Sequence, residues 1–204
     1  MLSFKDVPLR ESALLVIDAQ DSFTLGPRWA QRNNRDFEAN VTRLVDAYRA
    51  AGLPIFFFLH SDPDPGFETS SPHYKLMPFI HRQADEPLLH KITRNCFTST
   101  DLPTLLMEKG VRRVAITGIS MEQCCETTTR VAADLGYAAD FVIDATMTFP
   151  IANPLVPGTE ISVDAIAERT AAALHNRFAR VTTTDVLVGE VGALSGEGAS
   201  ASRS

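Results

Sequence analysis

The sequence predicts an α/β fold: a three-layer sandwich in which a doubly wound, mostly parallel sheet has helices on both faces. Short apolar runs rich in β-branched and aromatic residues recur along the chain, as strands buried on both faces require. Segments with apolar residues at helical spacing separate these runs. Strand and helix in alternation imply right-handed crossovers, which place helices on the two sides of one sheet.

Five strands are predicted in chain order, at residues 13–18, 53–60, 111–118, 138–145 and 179–187. Helices are expected between and after them, at residues 37–52, 101–110, 120–136 and 162–178. Residues 61–90 carry several prolines and no clear period, so we expect a long excursion over the surface.

The length of 204 residues fits one domain. We assign residues 1–190 to that domain. Residues 191–204 are small and polar, and we expect them to form a flexible C-terminal tail.

Composition excludes several classes of partner. The chain has 19 basic and 25 acidic residues, a net charge of −6, and no basic cluster longer than Arg112–Arg113. We therefore expect neither nucleic acid nor a membrane surface as a partner. The amino terminus lacks the apolar core of a signal peptide, and three cysteines cannot form a closed disulfide framework. These features indicate a cytoplasmic protein.

Candidate functional residues follow the predicted strands. Ligands of open α/β sheets bind at the carboxyl ends of the strands. Asp18 follows the first strand, His60 and Asp62 the second, Cys124 the third, and Asp144 the fourth. An acid and a cysteine from different strand ends would converge on one cleft.

Two adjacent cysteines lie near the start of the third helix. The stretch "SMEQ" fits a capping box with Ser120 as N-cap and Gln123 at the third helical position. Cys124 then lies in the first turn, where the helix dipole lowers a thiol pKa and free N–H groups hold an oxyanion. Alternatively, Cys124 and Cys125 are both small buried apolar residues. Position alone does not choose between these interpretations.

The acid and a lysine also have ordinary interpretations. Asp18 could cap the turn after its strand or pair with a surface base. Lys91 could be a solvated loop lysine, and it matters for chemistry only if it reaches the cleft.

Three separated motifs and an Asp-Ala pair occur in order between residues 13 and 185. They comprise Asp18, Gln20 and Phe23; Lys91, Phe97, Thr100 and Leu102; Gly118, Cys124, Thr128, Gly136 and Tyr137; and Asp144 with Ala145. In order and spacing they resemble the isochorismatase-like cysteine hydrolase family, which includes nicotinamidases and N-carbamoylsarcosine amidase. The resemblance implies a Rossmann-like three-layer sandwich.

The resemblance also implies a catalytic triad of Asp18, Lys91 and Cys124. Asp18 would act as the general base and Lys91 would favour the thiolate, while Cys124 would attack a carbonyl to form a thioester. The backbone N–H groups of Ser120 and Cys124 would hold the oxyanion, after a cis peptide between Ile119 and Ser120.

The substrate pocket is expected to include aromatic and apolar side chains that suit a planar or apolar group. Met121 and Cys125 depart from the residues usual in the family near the nucleophile. Each aromatic candidate could equally be ordinary core. The predicted pocket residues are Gln20, Phe23, Trp29, Phe97 and Ile119, with Phe149 as a further candidate.

A metal site is not expected. Nicotinamidases bind a metal through an Asp-x-His motif after the second strand, whereas here His60 and Asp62 stand in the reverse order, followed by His73 and His81. These four could in principle ligate Zn or Fe, but loop histidines are common on surfaces. We predict no cofactor.

The leading functional hypothesis is a metal-independent cysteine hydrolase that cuts a C–N bond in a small amide, ureide or carbamoyl compound. The alternatives are vinyl ether hydrolysis, which isochorismatases perform without the cysteine, metal-dependent nicotinamidase activity, and a noncatalytic protein that binds a small molecule. Family members are generally dimers or larger, so we expect a homo-oligomer.

Overall fold

A six-stranded sheet forms the centre of the computed structural model, which describes residues 7–201, with side chains to residue 194. All strand pairs in this sheet are parallel. The strands, in chain order, are β1 Ser12–Ile17, β2 Ile55–His60, β3 Leu88–Lys91, β4 Arg113–Ile119, β5 Ala138–Met147 and, after a short β6–β7 hairpin (Ile151–Ala152 and Glu160–Ile161), β8 Arg180–Thr182. Their order in space is β3-β2-β1-β4-β5-β8.

The helices lie on both faces of the sheet, as predicted. They are α1 Phe37–Ala50, α2 Leu102–Glu108, α3 Glu126–Asp134, α4 Val163–Leu174 and α5 Thr184–Ala201. Short 3₁₀ turns occupy Leu9–Glu11, Asp21–Thr24 and Pro27–Gln31, and one π-helical turn spans Met121–Cys125. Among the helices of residues 7–201, none combines the length and apolar character needed to cross a membrane.

Two apolar cores separate the three layers. Ala13, Leu15 and Ile17 of β1 face a core that includes residues of α2, α3 and α4. Leu14 and Val16 face the opposite core, which α1 and α5 cover. Because successive side chains of a strand point to opposite faces, a run such as "ALLVI" must be apolar throughout. The predicted fold class is thus confirmed.

Several strands differ from the predictions, and the β6–β7 hairpin was not predicted. The excursion contains a strand that was not predicted, β3, which pairs in parallel with β2. The last strand was predicted over 179–187, but β8 ends at Thr182 and a helix begins at Thr184. The Asp144 carboxylate accepts hydrogen bonds from the backbone N–H and hydroxyl of Thr184, at 2.8 and 2.9 Å. Asp144 therefore anchors the start of α5.

The predicted tail begins within α5. Val191 is fully buried in the core, and the preceding Glu190 accepts two hydrogen bonds of 2.7 Å from Arg180 of β8. The helix continues to Ala201, and Ser202–Ser204 lie outside the described residues. The boundary between domain and tail stays a prediction.

The rest of the excursion is attached to the carboxyl end of β1. The backbone N–H of Met77 donates to the Ala19 carbonyl at 2.9 Å, and Asp21 N–H donates to the Lys75 carbonyl at 2.9 Å. An isolated antiparallel bridge joins Gln20 to Leu76. The excursion consequently covers the edge of the sheet at which ligands of open α/β folds bind.

Gly118 of β4 pairs with Ile17 of β1. Its φ is +126°, a conformation that side chains disfavour. A Cβ atom at this position would lie 1.8 Å from the carbonyl oxygen of Ile17, which no side-chain rotation could relieve. The glycine therefore lets the two strands that carry Asp18 and the cysteine turn pair tightly.

Replacing Gly118 with alanine should lower the free energy of unfolding by about 3 kcal/mol or more, because the backbone must shift to remove the clash. Gly189 in α5 offers a matched control, since no atom lies within 4 Å of its Cβ position. Gly189→Ala should raise stability by about 0.5–1 kcal/mol through helix propensity. Urea unfolding of both variants measures the difference, and equal effects would contradict this account.

Candidate active site

Asp18 lies directly after β1 and is fully buried. Its φ of 49° is left-handed, a conformation that Asp tolerates better than most residues, and its N–H donates to the Phe58 carbonyl at 3.2 Å. Apart from an ion pair with the Lys91 ammonium, the oxygens of its carboxylate have no hydrogen-bonding partner among the described residues. The carboxylate therefore keeps lone pairs free for a proton from a neighbouring group.

Lys91 ends β3 opposite His60 of β2 and is fully buried. Its Nζ lies 2.7 Å from Asp18 Oδ2 in an ion pair. The same ammonium donates to Cys124 Sγ at 3.3 Å and to the Thr93 carbonyl at 3.2 Å. The interpretation of Lys91 as a solvated loop lysine is therefore wrong, and the cation joins the acid to the thiol.

Cys124 lies in the π-helical turn, with 4 % of its surface exposed, whereas Cys125 is completely buried in the core. Adjacent residues on a helix point about 100° apart, so only one of them reaches the cavity. The predicted capping box is absent: Ser120 makes no side-chain cap, and its carbonyl accepts from the N–H groups of Gln123 and Cys125, both at 3.2 Å. A five-residue turn replaces the first α-helical turn.

The Cys124 thiol is neutral in the resting site. Burial raises its pKa to about 12, and the negative charge of Asp18 adds to this effect, while Lys91 opposes it. This corrects the expectation that a helix start lowers the pKa of this thiol. For Lys91, burial lowers the pKa, but the negative charge of Asp18 opposes this effect and the net pKa is raised. The lysine stays charged.

The peptide between Ile119 and Ser120 is cis, as the resemblance implied. Ser120 and Cys124 both line one cavity. The assignment of their backbone N–H groups to an oxyanion stays a prediction.

A cavity of about 200 Å³ opens at the cysteine. Its aromatic wall is continuous, because the ring of Phe23 meets Phe67 edge-on at 4.9 Å and stacks on Phe149 at 5.9 Å. This volume suits a small substrate with a flat or apolar part. The described residues that line it are Ser22, Phe23, Leu25, Arg28, His60, Asp62, Asp64, Pro65, Phe67, Arg94, Ser120, Gln123, Cys124 and Phe149.

Of the predicted pocket residues, Phe23 and the further candidate Phe149 line the cavity, and four others do not. Phe97 and Ile119 are buried in the two cores. The ring centroids of Trp29 and Phe149 lie 6.4 Å apart, so Trp29 packs near the aromatic wall without lining the cavity. The Arg32 guanidinium lies over the Trp29 ring. Residues near a strand end turn to the core or to the cleft according to local geometry, which sequence position does not specify.

Gln20 is a bracing residue between two loops. Its side-chain oxygen accepts from the backbone N–H of His60 at 2.7 Å, and its Nε2 donates to the His60 carbonyl at 3.1 Å and to Ser22 Oγ at 3.0 Å. With both ends of the amide occupied, Gln20 fixes the end of β2 against the loop after β1.

A polar group at the cavity was only partly predicted. His60 and Asp62 follow β2 as expected, and Arg94, which was not predicted, contacts both of them. Arg94 comes from the irregular segment after β3, and no motif marks it in the sequence. The guanidinium of the exposed Arg28 lies over the Phe149 ring, 5.1 Å from its centroid.

The four residues considered as metal ligands do not form one group. His60 and Asp62 are neighbours, but His73 pairs with Asp21 at 2.9 Å, and His81 lies beside α1 at a separate small cavity. Within the side chains that the structure describes, no three His, Cys, Asp or Glu residues lie close enough together to hold a metal ion.

One edge of the parallel sheet thus carries a buried acid, a buried cation and a thiol within contact distance of that cation. The sequence profile of the Isochorismatase domain matches residues 12–186. The chain belongs to this family and is a hydrolase.

Individual relatives agree with this assignment. An uncharacterized isochorismatase family protein, YrdC of Bacillus subtilis, is 26% identical over 182 residues, which cover 88% of this chain and 96% of that protein. Nicotinamidase 3 of Arabidopsis thaliana is 29% identical over 160 residues, covering 71% and 77% of the two chains. An isochorismatase-family structure from Chromobacterium violaceum has a TM-score of 0.83 at 27% identity, covering 92% and 98%.

Alkylation by iodoacetamide should report the charges around Cys124. The thiolate is the reactive form, and its fraction at pH 8 rises about tenfold for each unit by which the pKa falls. Asp18→Asn removes the negative charge that raises this pKa, so Cys124 should react faster than in the wild type. Lys91→Met removes the cation, so it should react more slowly.

Mass spectrometry of the Cys124 peptide gives these rates, with the completely buried Cys125 as the internal control. Thermal unfolding confirms that each variant is folded. If both substitutions shifted the rate in the same direction, the electrostatic account would be wrong.

Proposed function

We propose that this protein is a cysteine hydrolase that cleaves the C–N bond of a small amide, ureide or carbamoyl compound, without a metal. The observation that carries the proposal is the position of the Lys91 ammonium, 2.7 Å from the Asp18 carboxylate and 3.3 Å from Cys124 Sγ. A nucleophile, a base and an orienting charge thereby share one buried site.

In the first half of the reaction, the Cys124 thiol transfers its proton to the Asp18 carboxylate as Sγ attacks the substrate carbonyl carbon. Lys91 stabilises the negative charge on sulfur during this transfer. The carbonyl oxygen becomes an oxyanion, for which we propose the N–H groups of Ser120 and Cys124 as donors. When the intermediate collapses, the C–N bond breaks and Asp18 returns its proton to the departing nitrogen.

In the second half, water hydrolyses the thioester. Asp18, again ionised, takes a proton from the water as its oxygen attacks the acyl carbon. The C–S bond breaks, the acid product leaves, and the proton on Asp18 returns to Cys124. The enzyme finishes with the neutral thiol and the Asp18–Lys91 ion pair with which it began.

Two further observations support the proposal. The cysteine counts against vinyl ether hydrolysis, since protonation of an ether needs an acid but no nucleophilic sulfur. The nicotinamidase relative acts on an amide, which is the chemistry proposed here.

A homo-oligomeric state and a cytoplasmic location remain part of the proposal.

The test is an ammonia-release screen over small amides and ureides with the wild type, Cys124→Ala and Cys125→Ala side by side. Cys124→Ala should lose turnover by about 10³-fold or more, because the thioester cannot form. Cys125→Ala removes the neighbouring sulfur from the core and should keep most of the wild-type activity once its stability is allowed for.

Trapping gives a second readout of the covalent step. The wild type, quenched with acid during turnover, should carry the acyl group on the Cys124 peptide. Full turnover by Cys124→Ala would contradict the mechanism and favour ether-type acid catalysis. Loss of activity on dialysis against a chelator, restored by Zn or Fe, would favour the nicotinamidase alternative instead.

A further inference from the structure

Thr128 has a buried hydroxyl group that the mechanism above does not use. It lies in the first turn of α3, four residues after Cys124, and is fully buried. The hydroxyl donates to the Cys124 carbonyl at 2.6 Å and accepts from the backbone N–H of Cys96 at 3.2 Å. A hydroxyl has a single hydrogen, so this carbonyl is favoured over the more distant acceptor, Cys96 Sγ at 3.5 Å. One side chain thus joins the π-helical turn of Cys124 to the segment after β3.

The segment after β3, residues 92–100, also provides a partner for the Lys91 ammonium. The Thr93 carbonyl accepts from Lys91 Nζ at 3.2 Å. A lysine ammonium has three hydrogens, and Lys91 contacts three groups: this carbonyl, the Asp18 carboxylate and the Cys124 sulfur. The direction of the hydrogen that meets the sulfur therefore depends on where the Thr93 carbonyl lies.

Hydrogen bonds within the segment connect its two ends. Ser99 Oγ accepts from the backbone N–H groups of Ile92 and Thr93, at 3.1 and 3.3 Å. Asn95 Oδ1 accepts from the N–H groups two and three residues later, at 2.9 and 2.8 Å. Among the described residues, the hydrogen bonds from this segment to α3 all go to the Thr128 hydroxyl. We therefore expect a displacement at this contact to reach the Thr93 carbonyl.

We propose that Thr128 is a positioning residue whose hydroxyl holds the segment after β3 against the turn of Cys124, so that one hydrogen of the Lys91 ammonium stays directed at Cys124 Sγ. The cation stabilises the charge that forms on sulfur during attack, and this stabilisation weakens as the two atoms separate. Thr128 is not one of the described residues that line the cavity, so it should affect the chemical step more than binding. This inference rests on the proposed function, to which it adds a residue outside the reacting groups.

The chain offers a matched control in the next residue. Thr128→Val removes the hydroxyl with little change of shape, and Thr128→Ser keeps a hydroxyl. Thr129 is also fully buried in α3, and its hydroxyl donates to the carbonyl four residues earlier, that of Cys125, at 2.8 Å. It has no hydrogen bond to residues 92–100 in the described part of the chain, so Thr129→Val removes the same kind of helix contact alone. If Thr128→Val does not fold, Thr128→Ala removes the hydroxyl without a methyl group in its place.

Proton and nitrogen-15 NMR of the lysine ammonium groups tests the resting site without any turnover. The Lys91 ammonium, buried and in contact with three partners, should exchange its hydrogens slowly with water and give a signal that is absent in Lys91→Met. Thr128→Val should shift this signal or broaden it through faster exchange, whereas Thr128→Ser and Thr129→Val should match the wild type. An unchanged signal in Thr128→Val, or equal changes in Thr128→Val and Thr129→Val, would overturn the proposal.

Alkylation of Cys124 shows whether Thr128 acts through the lysine. Thr128→Val should slow the reaction with iodoacetamide by about 3- to 10-fold, because a displaced cation leaves less thiolate. In a Lys91→Met background the same substitution should have no further effect, since the cation through which it acts is absent. An equal effect in both backgrounds would show that Thr128 changes access to the thiol instead, and the proposal would be wrong.

Turnover on the best substrate of the screen completes the test. Thr128→Val should lower kcat by about 10- to 100-fold with KM nearly unchanged, because the reacting groups are misplaced while the cavity is kept. Thr128→Ser should restore most of the activity, and Thr129→Val should keep it. A raised KM at unchanged kcat would contradict a positioning role. The NMR and alkylation results come from the resting protein, so failure of the proposed function is recognised separately, by full turnover in Cys124→Ala.

Discussion

The buried ammonium of Lys91 is the charge on which the site depends. Moving a lysine fully out of water costs several kcal/mol, and only an opposite charge in good geometry offsets that cost. Asp18 provides it at 2.7 Å, because the order β3-β2-β1 brings the ends of these strands to one edge. Removing either partner would leave an uncompensated charge in the interior. Under the proposed function, stability and chemistry therefore constrain the same two residues.

The ion pair also explains why the thiol rests in its neutral form. In a buried site of low polarity, two anions, Asp18 and a Cys124 thiolate, cost more free energy than one, because a single lysine cannot neutralise both. In the proposed mechanism, the thiolate forms when its proton moves to Asp18, which leaves one negative charge beside Lys91 before and after the transfer. Proton transfer and attack can then proceed at nearly constant net charge, so burial does not prevent reaction even though it raises the thiol pKa to about 12.

The sequence predicted much of the fold and the proximity of Asp18, Lys91 and Cys124, because both follow from patterns that are local or that recur in a family. A strand buried on both faces is a continuous apolar run, and Asp18 and Cys124 follow such runs. Lys91 by itself resembles any loop lysine, and only the family motif singled it out. Arg94 could not be predicted, since its contact with His60 joins positions 34 residues apart through irregular backbone. Phe97 was misplaced because an aromatic residue near a strand end fits the core equally well.

Under the proposed function, the reacting groups and part of the cavity wall come from different segments of the chain. Asp18 and Lys91 adjoin strand ends, where paired neighbours allow little movement, whereas part of the cavity wall comes from the excursion after β2. Two contacts fix that wall to the scaffold: Gln20 braces the end of β2, and Ser22 Oγ donates to the Gly66 carbonyl at 2.6 Å. Under the proposed function, changes in the excursion would alter the cavity wall and leave the distances among the buried charges intact.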